Sequence, residues 1–158
     1  MLLLSSVIFA QDESTHVKEG EVAPDFVIKT LDGQTQSLSD LEGKVVWLTF
    51  FATWCPPCRK ELPHLDKLYK ELGENENFEL FVIGREHDAA ELGKFKKEQN
   101  FSFPLVPDPE RVIFSKYAEQ NIPRNFIINK EGRIVEASVG FNEDDFNKKV
   151  EKLKKLLK

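Results

Sequence analysis

The segment that most constrains this chain is residues 54–58, Trp-Cys-Pro-Pro-Cys, which holds its only two cysteines. The apolar run of residues 45–51 precedes it and predicts a buried strand. The run that follows predicts an amphipathic helix, with its apolar face formed by Leu62, Leu65, Leu68 and Leu72. A Cys-x-x-Cys pair between a strand and the start of a helix is the arrangement used for thiol–disulfide exchange.

The two cysteines have different predicted roles. Cys55 is the expected nucleophile, because the free N–H groups and the dipole at a helix start favour a thiolate. Cys58, one turn deeper, is the expected resolving thiol, which attacks the mixed disulfide. Pro56 and Pro57 suit the first helical turn, where a missing N–H costs little. Trp54 offers an aromatic surface to a substrate beside the exposed sulfur.

Metal binding and a purely structural bridge are the alternative uses of this pair. A zinc site needs further ligands, but no second cysteine pair exists and the three histidines show no paired spacing. A structural bridge this short closes a very small loop and removes little entropy from the unfolded chain. The sequence therefore favours redox chemistry, and we expect neither a metal nor a cofactor.

Length and charge limit the class of protein. A chain of 158 residues without repeats or a linker rich in glycine and proline is predicted to form one domain. The net charge of −5, with no basic block, argues against a nucleic-acid partner.

The first residues of the chain suggest export. Residues 1–10 are mainly apolar and end in a small alanine, and a polar stretch follows. This pattern resembles the apolar core and cleavage end of a secretory signal, although it lacks a positive start and is too short to span a bilayer. We therefore expect residues 1–20 to be a signal remnant and linker, residues 21–158 to be the domain, and the protein to be exported to the periplasm or cell envelope.

The remaining pattern alternates strands and helices. A hairpin is predicted around Asp32-Gly33, and further strands at residues 78–83, 125–129 and 133–139. Helices are predicted after a capping box at Asp88 and Glu91, at Asp108-Pro109, and after Asn142. This order predicts an α/β fold in which a mixed sheet lies between helices.

Several segments together resemble the TlpA/ResA-like thiol–disulfide oxidoreductases of the thioredoxin superfamily. The resemblance covers roughly residues 22–157 and is carried by residues 23–26, 51–58, Pro63, Ile122-Pro123 and 126–132. It implies a thioredoxin-like fold with an N-terminal hairpin. The longer stretch between residues 83 and 121 implies a central helical insertion.

The resemblance also implies roles for residues far from the cysteines. Pro123 matches the cis-proline that faces the disulfide, and the backbone of Ile122 would then pair with an extended substrate. Glu86 is the predicted proton carrier, with water or no relay at all as the alternatives, since Thr49 replaces the buried aspartate of thioredoxin and cannot carry a proton at neutral pH. Arg124, in place of the usual threonine, either lies near the sulfur and favours acidic partners or points to solvent.

The predicted function is an exported reductase of protein disulfides that acts as a monomer. Its electrons would come from a membrane thiol-transfer protein, and its substrates would be disulfide-bearing proteins such as apocytochrome c or other envelope proteins. A peroxiredoxin-like thiol peroxidase is an alternative, although Thr53 lies two residues before Cys55 rather than the usual three. A metal- or haem-handling chaperone that uses both thiolates is a further alternative.

Overall fold

The computed structural model describes residues 12–158, which form seven strands and four helices. The strands are β1 (Val27–Lys29), β2 (Thr35–Ser37), β3 (Val45–Phe51), β4 (Phe78–Arg85), β5 (Leu105–Asp108), β6 (Arg124–Ile128) and β7 (Ile134–Val139). The helices are α1 (Pro56–Leu72), α2 (Ala89–Gln99), α3 (Phe114–Tyr117) and α4 (Glu143–Leu156). Among these residues no helix is long and apolar enough to cross a membrane. The apolar leader predicted for residues 1–10 lies outside the described residues.

The main sheet is mixed and has the strand order β5-β4-β3-β6-β7. Strands β3, β4 and β5 are parallel, whereas β6 pairs antiparallel with both β3 and β7. β3 is the central strand, and all seven of its residues are buried. The predicted hairpin is present as a separate two-stranded sheet of β1 and β2. These findings confirm the predicted fold class.

Both faces of the main sheet are covered because β3 is apolar on both sides. On one face the buried residues of α1, α2 and α4 pack against Trp47 and Phe51 of β3. On the other face Phe50 of β3 packs against α3 and the N-terminal segment, including Phe114, Tyr117 and Phe26. The site at the end of β3 is therefore held by two separate apolar clusters.

The local helix signals were mostly correct. The capping box of Asp88 and Glu91 opens α2 as predicted, with hydrogen bonds in both directions. Asn142 caps α4 by accepting a hydrogen bond from the backbone of Asp145. In each case a polar side chain satisfies an N–H group that the first turn of a helix leaves free.

The helix predicted to start at Asp108-Pro109 is wrong in its position. Asp108 ends strand β5, which the sequence did not reveal, and α3 begins only at Phe114. The Asp108 carboxylate nevertheless accepts hydrogen bonds from the backbone N–H groups of Ile113 (3.1 Å) and Phe114 (2.9 Å). Asp108 therefore does cap a helix start, but the helix begins several residues later in the chain than predicted.

Arg124 corrects a second prediction, because its guanidinium is only 1% exposed and points neither to solvent nor to a substrate. It donates hydrogen bonds to Asp12, Ser14 and Thr15, and to the backbone carbonyl groups of residues 120 and 121. Residues 12–15, which fall in the predicted linker, are thus packed on the domain. Hydrogen bonds from Ser14, together with the charge of Arg124, hold the pKa of Asp12 below its usual range.

We expect Ser14→Ala to lower the free energy of unfolding by about 1–3 kcal/mol, because it removes one of the hydrogen bonds to the buried guanidinium group of Arg124, whose Nη2 keeps Asp12 and a backbone carbonyl group as acceptors. Urea denaturation of the oxidised protein measures this change. Glu13→Ala is the matched control, since Glu13 is an exposed neighbour. Equal losses in the two variants would contradict the role of Ser14 as a partner of Arg124.

Candidate active site

Cys55 and Cys58 form a disulfide at the junction between the end of β3 and the start of α1. Cys55 is the N-cap residue of α1, and its sulfur accepts a hydrogen bond from the backbone N–H of Cys58 at 3.3 Å. After reduction this N–H group and the helix dipole would favour a thiolate on Cys55. Cys55 is 3% exposed and less open than expected, whereas Cys58 is fully buried. A partner therefore reaches Cys55 first.

The loop before β6 faces the disulfide. The Ile122–Pro123 peptide bond is cis, as the resemblance implied. The carbonyl oxygen of Ile122 lies 3.9 Å from the sulfur of Cys55. Ile122 is half-buried and Pro123 is buried, so the backbone at Ile122 is the accessible part of this loop beside the sulfur.

An exposed apolar rim surrounds the opening to Cys55. Trp54 is 65% exposed, and Pro56 and Pro57 are also exposed. Pro56 and Pro57 occupy the first two positions of α1, where their missing N–H groups leave no carbonyl unpaired. An exposed aromatic side chain next to the reactive sulfur suits contact with another protein.

His87 and Arg59 hold the backbone just before the cysteines. The N–H group of Thr53 donates a hydrogen bond to Nε2 of His87 (3.0 Å), and its carbonyl group accepts one from Arg59 (3.0 Å). Because Nε2 of His87 accepts, its proton lies on Nδ1, which faces the carboxylate of Glu91 at 3.2 Å. The buried His87 is therefore a structural support for the approach to the disulfide.

The prediction for Glu86 required a partly buried carboxylate directed at the sulfurs. The structure instead leaves its side chain 49% exposed and pairs it with Arg85 (3.4 Å) and Arg111 (3.9 Å). The carboxylate of Glu86 is therefore open to solvent and paired with two guanidinium groups. The environment of Glu86 therefore does not match the role that the resemblance implied.

Glu61 has the buried environment that Glu86 lacks, and sequence reasoning did not identify this residue. It is 1% exposed and lies three residues after Cys58 on α1, so the two side chains share one face of the helix. Its Oε1 accepts a hydrogen bond from the side-chain amide of Asn125 at 2.5 Å. The oxygen of the same amide accepts hydrogen bonds from Trp47 (2.8 Å) and Thr49 (2.7 Å). This network fixes the orientation of the amide and hence of the carboxyl group.

Burial raises the pKa of Glu61 from its ordinary value of 4.5 to about 7. The hydrogen bond from Asn125 and the charge of Lys149 act in the opposite direction but do not cancel the effect of burial. A carboxyl group with a pKa near neutrality exchanges protons readily at physiological pH. The available signal was its position within the buried stripe of α1, where a glutamate is unusual.

The described residues contain no group of three or more His, Cys, Asp or Glu side chains arranged to hold a metal ion. The site brings together two sulfurs, the buried carboxyl group of Glu61 and the backbone of Ile122.

We expect the contribution of Glu61 to the free energy of unfolding to fall by about 3 kcal/mol as the pH rises through the window from 4.5 to about 7. The sign follows because the folded state binds the proton of Glu61 more tightly than the unfolded state. Glu61→Gln should remove this part of the pH dependence, whereas Glu74→Gln, at an exposed position, should keep it. Urea denaturation at several pH values measures both slopes, and identical slopes in the two variants would contradict the assignment.

Comparison with known proteins agrees with this geometry. The AhpC/TSA family model matches residues 20–137. The thiol-disulfide oxidoreductase ResA of Bacillus subtilis is 35% identical over 135 residues, which cover 85% of this chain and 74% of that protein.

Solved structures give the same result. A candidate protein disulfide isomerase from Bacteroides thetaiotaomicron has a TM-score of 0.87 and 39% identity, covering 91% of this chain and 92% of its own. The exposed lipoprotein thioredoxin Etrx1 of Streptococcus pneumoniae has a TM-score of 0.70 and 29% identity, covering 82% of this chain and all (100%) of its own. The chain therefore belongs to the AhpC/TSA family and, within it, to the thiol-disulfide oxidoreductases similar to ResA.

Proposed function

We propose that this oxidoreductase works as an exported, monomeric reductase of protein disulfides. The observation that carries the proposal is the asymmetry of the cysteine pair. Cys55 faces the backbone of Ile122 and the apolar rim, whereas Cys58 is buried behind it. This arrangement suits a first sulfur that meets another protein and a second sulfur that completes the reaction.

The reaction proceeds in two exchanges. The thiolate of Cys55 attacks a substrate disulfide, so that a bond forms between Cys55 and one substrate sulfur while the other leaves as a thiolate. Cys58 then attacks the sulfur of Cys55, the mixed disulfide breaks, and the second substrate sulfur leaves. Two electrons have then passed from the dithiol to the substrate, and the Cys55–Cys58 disulfide has formed.

Glu61 is the proposed proton acceptor for Cys58. A buried thiol must lose its proton before it attacks, and the low polarity around it makes an adjacent base necessary. Glu61 lies one helical turn from Cys58, and its raised pKa suits proton exchange near neutrality. This role replaces the one predicted for Glu86.

The substrate would bind as an extended segment beside the cis-proline loop. The backbone of Ile122 offers hydrogen-bonding groups next to the sulfur, which is the geometry of strand addition. Trp54, Pro56 and Pro57 would contact apolar groups on the substrate. Arg124 takes no part in this contact, because its hydrogen bonds are directed into the domain.

Export to the periplasm or cell envelope is supported by the apolar start of the sequence and by the description of Etrx1 as an exposed lipoprotein. In such an oxidising compartment a reductase needs a supply of electrons, which a membrane thiol-transfer protein would provide. The substrates would be apocytochrome c cysteines or other envelope disulfides. A thiol peroxidase is less favoured, because the named relative at 35% identity is a thiol-disulfide oxidoreductase.

We expect Cys58→Ser to trap a mixed disulfide between Cys55 and insulin, because the resolving sulfur is missing. Non-reducing electrophoresis and mass spectrometry detect the adduct. Cys55→Ser is the matched control and should neither form the adduct nor reduce insulin. An adduct formed mainly by the Cys55→Ser variant would reverse the assigned roles.

The reduction potential decides the direction of the reaction. We expect the Cys55–Cys58 pair to equilibrate with dithiothreitol buffers near or below about −270 mV, the range of thioredoxin. A value near about −120 mV would instead identify an oxidant that introduces disulfides, and the reductase proposal would be dropped.

A further inference from the structure

We propose that Ser138, at the outer end of a polar row that Thr49 and Asn125 form with it across the sheet, carries protons between Glu61 and a groove behind the active site. The groove lies between β7 and α4, has a volume of about 520 Å³, and is lined by Ser138 together with Lys148, Lys149 and Lys152. The inference rests on the proposed role of Glu61 as proton acceptor.

The sheet register builds the polar row. Thr49 of β3 pairs directly with Asn125 of β6, and Asn125 pairs directly with Ser138 of β7. Residues directly opposite on neighbouring strands point to the same face. The three side chains therefore run from the central strand to the edge of the sheet on one face. This face is the one that α1 and α4 cover, and Glu61 meets the row at Asn125.

Among the described residues, two buried side-chain oxygens on either side of Asn125 have no hydrogen-bond partner. Within residues 12–158, Oε2 of Glu61 and Oγ of Ser138 have no hydrogen-bond partner, whereas both the oxygen and the nitrogen of the Asn125 amide form hydrogen bonds. Buried polar atoms are normally satisfied by protein or by ordered water. A carboxyl oxygen and a hydroxyl group on either side of one amide can share a water molecule, which is the element a proton path requires.

The outer end of the path is the groove. Ser138 lines the groove, and the positive charge of the half-buried Lys149 reaches Glu61, because it opposes the rise in the pKa of that group. The other charged groups of the groove pair with each other, Lys148 with Asp145 (3.6 Å) and Lys152 with Glu136 (3.0 Å). Lys149 is therefore the groove cation whose charge acts on the buried carboxyl group.

The reaction requires a route by which the proton of Cys58 can leave while the substrate is bound. In the mixed disulfide the substrate covers the rim of Trp54 and Ile122, so the front of the site is closed to solvent. The S–H bond of Cys58 breaks, an O–H bond forms on Oε2 of Glu61, and the Cys58 thiolate displaces the substrate sulfur from Cys55. The proton on Glu61 then leaves through the groove, and the carboxylate is restored for the next cycle.

The test is the single-turnover oxidation of the dithiol protein by insulin, followed across a range of pH in H₂O and D₂O. We expect Ser138→Ala to slow the reaction about tenfold, a part of the roughly 10²- to 10⁴-fold that a positioned acid or base contributes, and to increase the solvent isotope effect. Ser138→Thr keeps the hydroxyl group and should restore the rate. The reduction potential should stay unchanged in both variants, because a proton path alters a rate and not an equilibrium.

A second pair of variants tests the groove independently. Lys149→Gln removes the charge that favours the carboxylate of Glu61, so the midpoint of the pH–rate profile should rise. Lys148→Gln, its matched control, should leave the midpoint in place. Equal midpoints in the two variants would overturn the placement of the path in this groove, even if Ser138→Ala were too unstable to assay.

The remaining outcomes separate this inference from the proposed function. If Glu61→Gln slows the reaction but Ser138→Ala reacts like the unmodified protein, the path is wrong and the role of Glu61 stands. If Glu61→Gln also reacts like the unmodified protein, both the proton acceptor and the path are wrong. A lower reduction potential or a lost fold in Ser138→Ala, with an unchanged midpoint in Lys149→Gln, would show only a structural role for the row.

Discussion

The burial of β3 on both faces is the constraint on which the rest of the structure depends. All seven residues of this strand are inaccessible to solvent, so elements must cover the sheet on both sides. The chain leaves β3 at its carboxyl end and enters α1 within a few residues, which places the cysteine pair between the end of the central strand and the start of a helix. The helix must then lie against the sheet, and this forces one face of α1, including Cys58 and Glu61, into the interior.

Two polar networks on opposite faces hold the loop that faces the disulfide. Arg124 and Asn125 directly follow the cis-proline and, as neighbours on β6, point to opposite sides of the sheet. The guanidinium is bound by the N-terminal segment on one side, and the amide by Trp47, Thr49 and Glu61 on the other. Buried polar groups of this kind cost free energy unless their partners are in place, so each network restricts where the loop can sit.

Local patterns in the sequence predicted most elements of the fold. The hairpin at Asp32-Gly33, the strand of residues 45–51 and the capping box at Asp88 depend on neighbouring residues and could be found directly. Strand β5 was missed because it pairs with β4, from which α2 separates it in the chain, and because Asp108-Pro109 resembles a helix start.

The residues of the site, like the elements of the fold, could be predicted only in part from the sequence. The two cysteines carry their own signal and Pro123 is found through the family resemblance, whereas Glu61 looks like an ordinary residue of a charged helix until its burial is known. The partners of Arg124 at residues 12–15 lie more than a hundred positions away in the chain, so no local rule could have assigned them.

The anchoring of residues 12–15 on Arg124 also determines where the chain enters the domain. Arg124 pairs with Phe50 at the carboxyl end of β3, so the chain approaches the domain at the same edge that bears the cysteines. α4 runs away from that edge, and near its end Lys154 pairs with Glu71, close to the last turn of α1. A tag or fusion partner attached after Lys158 would therefore extend from the opposite end of α1 and leave the reactive sulfur open to its substrates.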